Sequence, residues 1–228
     1  VFGASRGVGL ALARLLRRRE APVVAMLRPA AGSAELESAG VGIVRGDALS
    51  HADVARAFAA VPGACDVVST LGGRTADGRL VDDAGNIIVI DQAASHAATH
   101  GPGRFVLVTS IGCGDMAPYR SERAIAAFGA AVDAKTRAEE HLRRVIPAAT
   151  IIRPGGLRSE PATGRGILTQ DPQMHGFINR EDVAGLVVRA LDDPATSGRT
   201  FAAVDAAAAR SVNPISPFPL APAAGIVG

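Results

Sequence analysis

The sequence predicts an α/β fold in which a doubly wound parallel sheet forms a single domain. Apolar segments of strand length alternate with helical segments over roughly 150 residues, which is typical of parallel strands joined by crossover helices. The 228 residues include 26 glycines and only 4% aromatic residues, a composition that suits tight strand-to-helix turns with helices close to a sheet. An apolar content of 48% is enough for one large domain, and a second domain is not required.

Six apolar segments have the character of buried strands. They span residues 1–2, 22–27, 41–45, 66–70, 105–109 and 150–153. Two residues are too few for a buried strand, so we expect the first strand to begin before Val1. The strands that follow are each separated by enough chain for a crossover connection.

Five further segments have apolar residues at helical spacing. They span residues 7–19, 52–60, 84–99, 121–145 and 180–191. Residues 158–178 show no regular pattern, and we predict a substrate lid there. We therefore expect a domain over residues 1–205, followed by a proline-rich tail over residues 206–228 that is extended or disordered.

Composition argues against several function classes. The formal net charge is +2 and the basic residues are scattered, which disfavours a nucleic-acid partner. Cys65 and Cys113 are too few for a disulfide framework or a zinc site, so we expect a reducing compartment and no metal. No apolar stretch of about 18 residues and no signal peptide is visible, which predicts a cytoplasmic protein with no membrane partner.

The segment from Gly3 to Gly9 reads GASRGVG and lies between the first strand and the first helix. Gly3 permits a sharp turn, Gly7 lets backbone amides approach a diphosphate, and Gly9 permits close packing of helix on strand. The same loop supplies Ser5, Arg6 and Val8. Because a helix N-terminus attracts anions, the loop predicts a dinucleotide site. The alternative is a tight turn with a glycine-opened helix and no ligand.

The end of the second strand indicates which dinucleotide is bound. An acidic residue at this point would hold the ribose hydroxyls of NAD, but the sequence reads LRP and places Arg28 there. A guanidinium group favours the 2′-phosphate of NADP, and Arg6 can reach the same phosphate from the loop. The prediction is therefore NADP(H), although either arginine could be a solvated surface charge.

Two further strand ends are predicted to face the cofactor. Asp47 and Ala48 follow the third strand, where Asp47 would accept a hydrogen bond from the adenine amino group or would cap the next helix. The fourth strand leads into a run of small residues that we expect to line the cofactor site, or to form an ordinary turn. This run contains Thr70, Leu71 and Gly72.

Several motifs, taken in order, resemble those of atypical short-chain dehydrogenase/reductases, the group that includes NmrA-like proteins and biliverdin IXβ/flavin reductases. The motifs are GASRGVG, LRP, GDAL, DDAGN, RFVLVTSIGCGD, KTRAEEHLR, IIRPGGL and NREDVAGLV. The resemblance covers residues 1–205 and implies a Rossmann fold that binds NAD(P)H. It is much less specific for the substrate.

Two departures from the superfamily concern the chemistry. The Tyr-x-x-x-Lys pair of the main-line members is incomplete, because Lys135 is present but Ala131 stands where the tyrosine would be. The glycine loop also follows the G-x-x-x-G-x-G spacing of main-line members, whereas many atypical members have G-x-x-G-x-x-G.

The candidate catalytic residues follow from strand ends and from the resemblance. Ser110, next to Thr109 at the end of the fifth strand, matches the superfamily serine that hydrogen-bonds a substrate carbonyl, or it merely ends the strand. Lys135 would hold the nicotinamide ribose, or is an exposed helix lysine. Tyr119 could act as a proton donor or stacking surface, or pack as an ordinary loop residue.

Three other features are weighed as part of the site. After the sixth strand, we expect Pro154, Gly155 and Gly156 to lie under the nicotinamide, where backbone amides can contact its carboxamide. His175 could be an acid, although a single loop histidine is more often solvated. Cys113 has no histidine paired with it in sequence, so nucleophilic catalysis is not expected.

The sequence thus predicts an NADPH-dependent reductase that passes hydride to a small conjugated acceptor such as a flavin, quinone, tetrapyrrole or carbonyl compound. With no Tyr-Lys pair, the proton would come from solvent, from Ser110 or from the substrate. The alternatives are an NADP-binding sensor or scaffold without turnover, and an epimerase or dehydratase that uses the cofactor transiently. We expect a monomer or homodimer.

Overall fold

The computed structural model describes residues 1–221. Within them the six α-helices are α1 (Gly7–Arg18), α2 (Ala34–Ser38), α3 (His51–Ala59), α4 (Val81–His100), α5 (Glu122–Val145) and α6 (Arg180–Asp192). The nine strands of the same residues are β1 (Val24–Leu27), β2 (Gly42–Arg45), β3 (Val67–Ser69), β4 (Phe105–Val108), β5 (Thr150–Pro154), β6 (Gly156–Arg158), β7 (Gly166–Thr169), β8 (Phe177–Asn179) and β9 (Thr200–Asp205). Short 3₁₀ turns cover Gly114–Tyr119, Pro194–Thr196 and Ala206–Ala208.

The strands form the predicted doubly wound sheet. β1 pairs with β2, and β3, β4, β5, β9 and β7 follow one another in a second group. Phe2 joins the two groups, because it bridges in parallel to Met26 of β1 and to Ser69 of β3. Only the antiparallel pair of β7 with β9 departs from the parallel direction among the strand pairs of the described residues. The predicted first strand is thus a single bridging residue.

Two layers of helices cover the two faces of the sheet. Phe105 and Leu107 of β4 pack in a hydrophobic cluster with α3, α4 and α5, whereas Val106 and Val108 pack in a cluster with α1 and α6. This alternation follows from the two-residue repeat of a strand, which sends successive side chains to opposite faces. It explains why all of β4 is buried and apolar.

Most predicted elements are present, with shifted ends. The predicted helix over residues 84–99 begins earlier, at Val81, and Asp82 and Asp83 in its first turn favour the positive end of the helix dipole. Outside residues 156–179, the sequence-based prediction missed the five-residue helix α2 and strand β9. Strand β9 is rich in alanine, which has low strand propensity, and burial between β5 and β7 decides its conformation.

The segment 158–178, predicted to be irregular, contains ordered strands. β7 extends the main sheet beside β9, and β6 pairs in parallel with β8. The expectation of an irregular segment is therefore wrong, whereas the substrate lid stays a prediction. These strands are three or four residues long, too short to give a periodic pattern, and they are held by pairing with distant segments.

The predicted tail runs back along the domain as far as it is described. His175 and Arg210 exchange two backbone hydrogen bonds of 2.8 Å, and the amide of Phe218 donates to the Leu168 carbonyl of edge strand β7 at 2.7 Å. The Phe218 ring packs on Phe201 with ring centroids 4.8 Å apart. Residues 222–228 of the predicted tail lie outside the described residues.

None of the helices within residues 1–221 is both long enough and apolar enough to cross a lipid bilayer.

Candidate functional site

A cleft of about 890 Å³ opens at the carboxyl edge of the sheet, where the strand order reverses around Phe2. Ligands of open α/β sheets bind at such a reversal point, outside the carboxyl ends of the strands. The cleft brings together fourteen of the predicted residues. They are Gly3, Ser5, Arg6, Gly7, Val8, Arg28, Asp47, Ala48, Thr70, Leu71, Gly72, Thr109, Ser110 and Lys135.

The glycine loop forms a tightly packed floor beneath this cleft. Gly3 has a φ of +86°, and a Cβ atom on it would lie 2.6 Å from Thr70 Oγ1. A Cβ atom on Gly9 would lie 2.4 Å from the carbonyl oxygen of Gly3. Gly9 therefore lies behind the loop rather than among the residues lining the cleft. A side chain at either position would push the loop away from β3, so the loop fits a cofactor that needs close contact with the backbone.

The N-terminus of α1 points into the cleft without a capping side chain. Arg6 occupies the N-cap position, its side chain makes no cap hydrogen bond, and the first turn contains no acidic residue. The free N–H groups of that turn are suitable donors to a diphosphate. Five cationic side chains line the cleft against one carboxylate, that of Asp47, so its charge favours a polyanionic ligand. The cations are Arg6, Arg28, Arg74, Lys135 and Arg180.

Arg28 and Asp47 line the cleft just after strands β1 and β2. Arg28 follows β1 directly and is exposed. Asp47 Oδ1 accepts from the amide of Leu49 at 3.0 Å, whereas the N-cap of α3 is Ser50, whose hydroxyl accepts from Asp53. Asp47 thus shapes the turn before α3 without capping the helix. Its position in the cleft leaves it available to an adenine ring.

Lys135 reaches the cleft from α5 and is held by a buried carboxylate that the sequence-based prediction did not assign to the site. Its Nζ lies 2.5 Å from Oδ1 of Asp82, whose side chain is only 2% exposed. The other oxygen of Asp82 accepts from the amide of Gly73 at 2.8 Å. Asp82 therefore positions both the ammonium group and the small-residue loop after β3. The acidic pair that begins α4 was the sequence signal for this residue.

Thr109 lines the cleft, but its hydroxyl is directed to the interior. It donates to Oε1 of Glu139 at 2.7 Å, and Glu139 in turn forms a buried ion pair of 2.6 Å with Arg153. Arg153 also pairs with Asp115 in the 3₁₀ turn after β4. Burial lowers the pKa of Arg153, but the hydrogen bonds and charges of Glu139 and Asp115 outweigh it and raise that pKa above its usual value. The network fixes the end of β4, so Thr109 contributes by its backbone and position.

A second cavity of about 640 Å³ adjoins the cleft, and Ser110 lines both. No hydrogen bond of the Ser110 hydroxyl is formed within residues 1–221, so it can donate to a ligand in either space. The cavity walls carry Ile111, Val132 and Leu157, and two aromatic rings at its mouth are partly exposed, Tyr119 at 42% and Phe128 at 66%.

The loop after β5 lines this second cavity rather than the cleft. The residues concerned are Pro154, Gly155 and Gly156, with Tyr119 and His175 in the same lining. Their contact with a nicotinamide stays a prediction. Cys113 is fully buried in the nearby loop, and burial raises the pKa of its thiol to about 12, which agrees with the prediction that it is not a nucleophile.

A model of the family described as NAD(P)H-binding matches residues 3–194. The chain belongs to this NAD(P)H-binding family. The match confirms the resemblance inferred from the sequence motifs, and it includes both the glycine loop and the beginning of α6.

Relatives of this NAD(P)H-binding chain differ in their described activities. It is 31% identical over 205 residues to the uncharacterized sugar epimerase YhfK of Bacillus subtilis, covering 88% of this chain and 91% of the relative. Among solved structures, ChuY, an anaerobillin reductase from Escherichia coli O157:H7, is 37% identical with a TM-score of 0.80, covering 90% of this chain and 95% of that one.

A more distant structure shows the same fold. A short-chain dehydrogenase/reductase from Veillonella parvula, solved in complex with NADP, has a TM-score of 0.67 at 13% identity, covering 91% of this chain and 94% of the other. At this identity the likeness concerns the fold and leaves the choice between NAD and NADP open.

Proposed function

We propose that this NAD(P)H-binding protein is an NADPH-dependent reductase whose acceptor is a large conjugated molecule bearing carboxylates, of the linear tetrapyrrole class. The proposal rests on one observation, that two spaces of different character meet at Ser110. One is a cationic cleft with a backbone floor, and the other is an apolar cavity with aromatic rings at its mouth. The description of the ChuY relative as an anaerobillin reductase supports the same acceptor class.

The preference for NADPH is supported by charge on the adenosine side. Arg6 and Arg28 line the cleft there, and neither forms an ion pair within residues 1–221. The position after β1 that would carry an acid in an NAD-specific protein is Arg28. Two unpaired guanidinium groups suit a 2′-phosphate.

The acceptor class is supported by the composition of the second cavity. Its apolar and aromatic lining suits a flat conjugated system that needs little hydrogen bonding. Arg120 lines the cavity but is paired with Asp133 at 2.7 Å. Arg158 lies outside the lining, with its guanidinium 4.4 Å above the ring of Phe177, which packs against Gly156. Arg158 is thus the nearby cation that would suit an acceptor with carboxylates at its periphery.

The chain's own residues define the remaining chemistry. When bound, reduced nicotinamide supplies a hydride. Ser110 would hydrogen-bond the acceptor and polarise it, and Lys135, held by Asp82, would orient the ribose. Because Ala131 replaces the tyrosine acid, the balancing proton comes from solvent, either directly or through the Ser110 hydroxyl. This suits a conjugated acceptor, whose electron pair is delocalised as the hydride arrives.

A test measures NADPH oxidation under anaerobic conditions with a linear tetrapyrrole, a flavin, a quinone and an aldehyde. We expect the tetrapyrrole to give the highest kcat/KM, with bleaching of its visible band in proportion to NADPH consumed. Tight NADPH binding with no oxidation by any acceptor would contradict the proposal and favour a sensor.

A sugar epimerase is the second candidate, because the YhfK relative carries that description. Epimerisation would convert substrate with no net consumption of NADPH. The mostly apolar second cavity offers few partners to sugar hydroxyls, which favours the reductase.

A further inference from the structure

Arg180 is a cation of the cofactor cleft that comes from the far end of the chain. It is the first residue of α6, and its guanidinium faces the glycine loop, with Nε 3.6 Å from the position of a Cβ atom on Gly7. Its Nη1 donates to the hydroxyl of Ser159 at 2.7 Å. The side chain therefore spans the cleft between the segment after β6 and the N-terminus of α1.

The charge of Arg180 is not neutralised by its neighbours. Glu181 accepts from the amide of Ala162, and Asp182 accepts from the amides of Thr163 and Gly164. Within residues 1–221 Arg180 takes part in none of the ion pairs. The side chain is half-buried and so only partly solvated.

The space beside Gly7 has a second source of positive potential. The open N-terminus of α1 lies opposite Arg180 and has no acidic residue in its first turn, whereas the N-terminus of α6 carries Glu181 and Asp182. The guanidinium and the α1 N-terminus therefore face the same space. A ligand with two negative charges placed there would stabilise both.

From this geometry we infer that Arg180 binds the diphosphate of the dinucleotide on the side opposite the α1 N-terminus, while its bond to Ser159 ties down the segment after β6. The inference rests on the dinucleotide site of the proposed function and is independent of the acceptor. The inferred contact makes α6 part of the cofactor site. The segment after β6 also adjoins the second cavity, because Leu157, two residues before Ser159, lines both spaces.

The test uses calorimetry with two ligands, NADPH and adenosine 2′-monophosphate, which lacks the diphosphate. Arg180→Ala should weaken NADPH by about tenfold to hundredfold, the usual effect of losing a hydrogen bond to a charged group, and leave the monophosphate within about twofold. Arg28→Ala should weaken both ligands. Arg180→Gln has the same expectation as Arg180→Ala and replaces it should the alanine variant not fold.

Two controls separate this contact from other effects. Arg14→Ala removes one positive charge from α1 outside the cleft, where Arg14 pairs with Glu35, and should not alter either affinity. Ser159→Ala removes the hydroxyl that holds Nη1 and should weaken NADPH by less than Arg180→Ala does, because Arg180 remains able to reach the diphosphate.

Four results would overturn the inference. Unchanged NADPH binding by the Arg180 variants would exclude the contact, and equal weakening of both ligands would reduce it to a general charge effect. A loss in Ser159→Ala as large as in Arg180→Ala would assign the contact to Ser159. A wild-type protein that binds neither NADPH nor NADH would refute the cofactor site of the proposed function itself.

Discussion

The cleft at the carboxyl edge of the sheet and the second cavity share Thr109, Ser110 and Leu157 but are built in different ways. The floor of the cleft is backbone, formed by a glycine loop in which added side chains would collide with Gly3 and Thr70. The cavity is made of side chains from the loop after β4, from α5 and from the loop after β5, with His175 brought in from before β8. The first surface requires glycine at defined positions. The second combines apolar side chains with glycines of its own, because a Cβ atom on Gly155 would lie 2.4 Å from the carbonyl oxygen of Gly176.

Because of this difference, substitutions should alter ligand binding less easily in the cleft than in the second cavity. A backbone floor keeps its hydrogen-bond donors when side chains change, since the donors are main-chain groups, and such donors suit a diphosphate. A side-chain wall can be reshaped by single substitutions with little effect on the fold. Related proteins with this fold can therefore share a cofactor and differ in acceptor.

The largest expected effect is a loss of stability when the network of Glu139, Arg153 and Asp115 is broken. Glu139→Ala would leave the buried charge of Arg153 paired only with Asp115, which should lower the free energy of unfolding by about 3–5 kcal/mol. Urea denaturation measures it, with Glu140→Ala as the neighbouring exposed control. A loss of less than about 1 kcal/mol would show that the network is not a common support.

A smaller loss of stability is expected in the glycine loop. Gly9→Ala places a Cβ atom 2.4 Å from the Gly3 carbonyl oxygen, and overpacking of this kind costs about 1–3 kcal/mol. NADPH binding should be lost in calorimetry. The matched control is Gly32→Ala, because no atom lies within 4 Å of the added Cβ there. A Gly9→Ala protein with normal affinity would contradict the account of a backbone floor.

A substitution in the charged wall of the cleft should change the affinity for NADPH and not the affinity for NADH. Arg28→Ala is expected to weaken NADPH by about tenfold to hundredfold, through loss of contacts to the 2′-phosphate, and to change NADH by less than about threefold. Calorimetry with both coenzymes is the measurement. Equal losses for NADPH and NADH would refute the assignment of Arg28.

A milder effect is expected in the second cavity. Phe128→Ala removes a ring that is 66% exposed in the absence of a ligand and that an acceptor would cover. The acceptor KM should rise by about threefold to tenfold while the NADPH dissociation constant is unchanged. Val212→Ala, which removes an exposed apolar side chain outside the cavity lining, serves as the control. A parallel change in NADPH affinity would show that the two spaces are not separable.

The smallest expected effect is on the chemical reactivity of the Cys113 thiol. Since burial raises the pKa of its thiol to about 12, the thiol remains protonated as pH rises through 8 and 9, and alkylation should be negligible in that range. Mass spectrometry after iodoacetamide treatment checks this, with the partly exposed Cys65 as the internal comparison. Faster labelling of Cys113 than of Cys65 would mean that the loop after β4 opens.

The sequence by itself determined the sheet, most of its helices and the glycine loop, because these depend on local periodicity and on backbone geometry that glycine alone permits. It also identified residues that line the cleft after β1, β2, β3 and β4, whereas the residues predicted after β5 line the second cavity. It did not predict β9, because the low strand propensity of its alanines is overridden by burial between two neighbouring strands.

Only the tertiary structure decided the partners of the charged groups. Asp82 is held against Lys135, Glu139 against Arg153, and Arg180 against the glycine loop by segments far apart along the chain. The second cavity likewise forms only when the loops after β4 and β5 meet α5. Burial and charge pairing are properties of neighbours in space, and no local pattern in the sequence encodes which distant segments become neighbours.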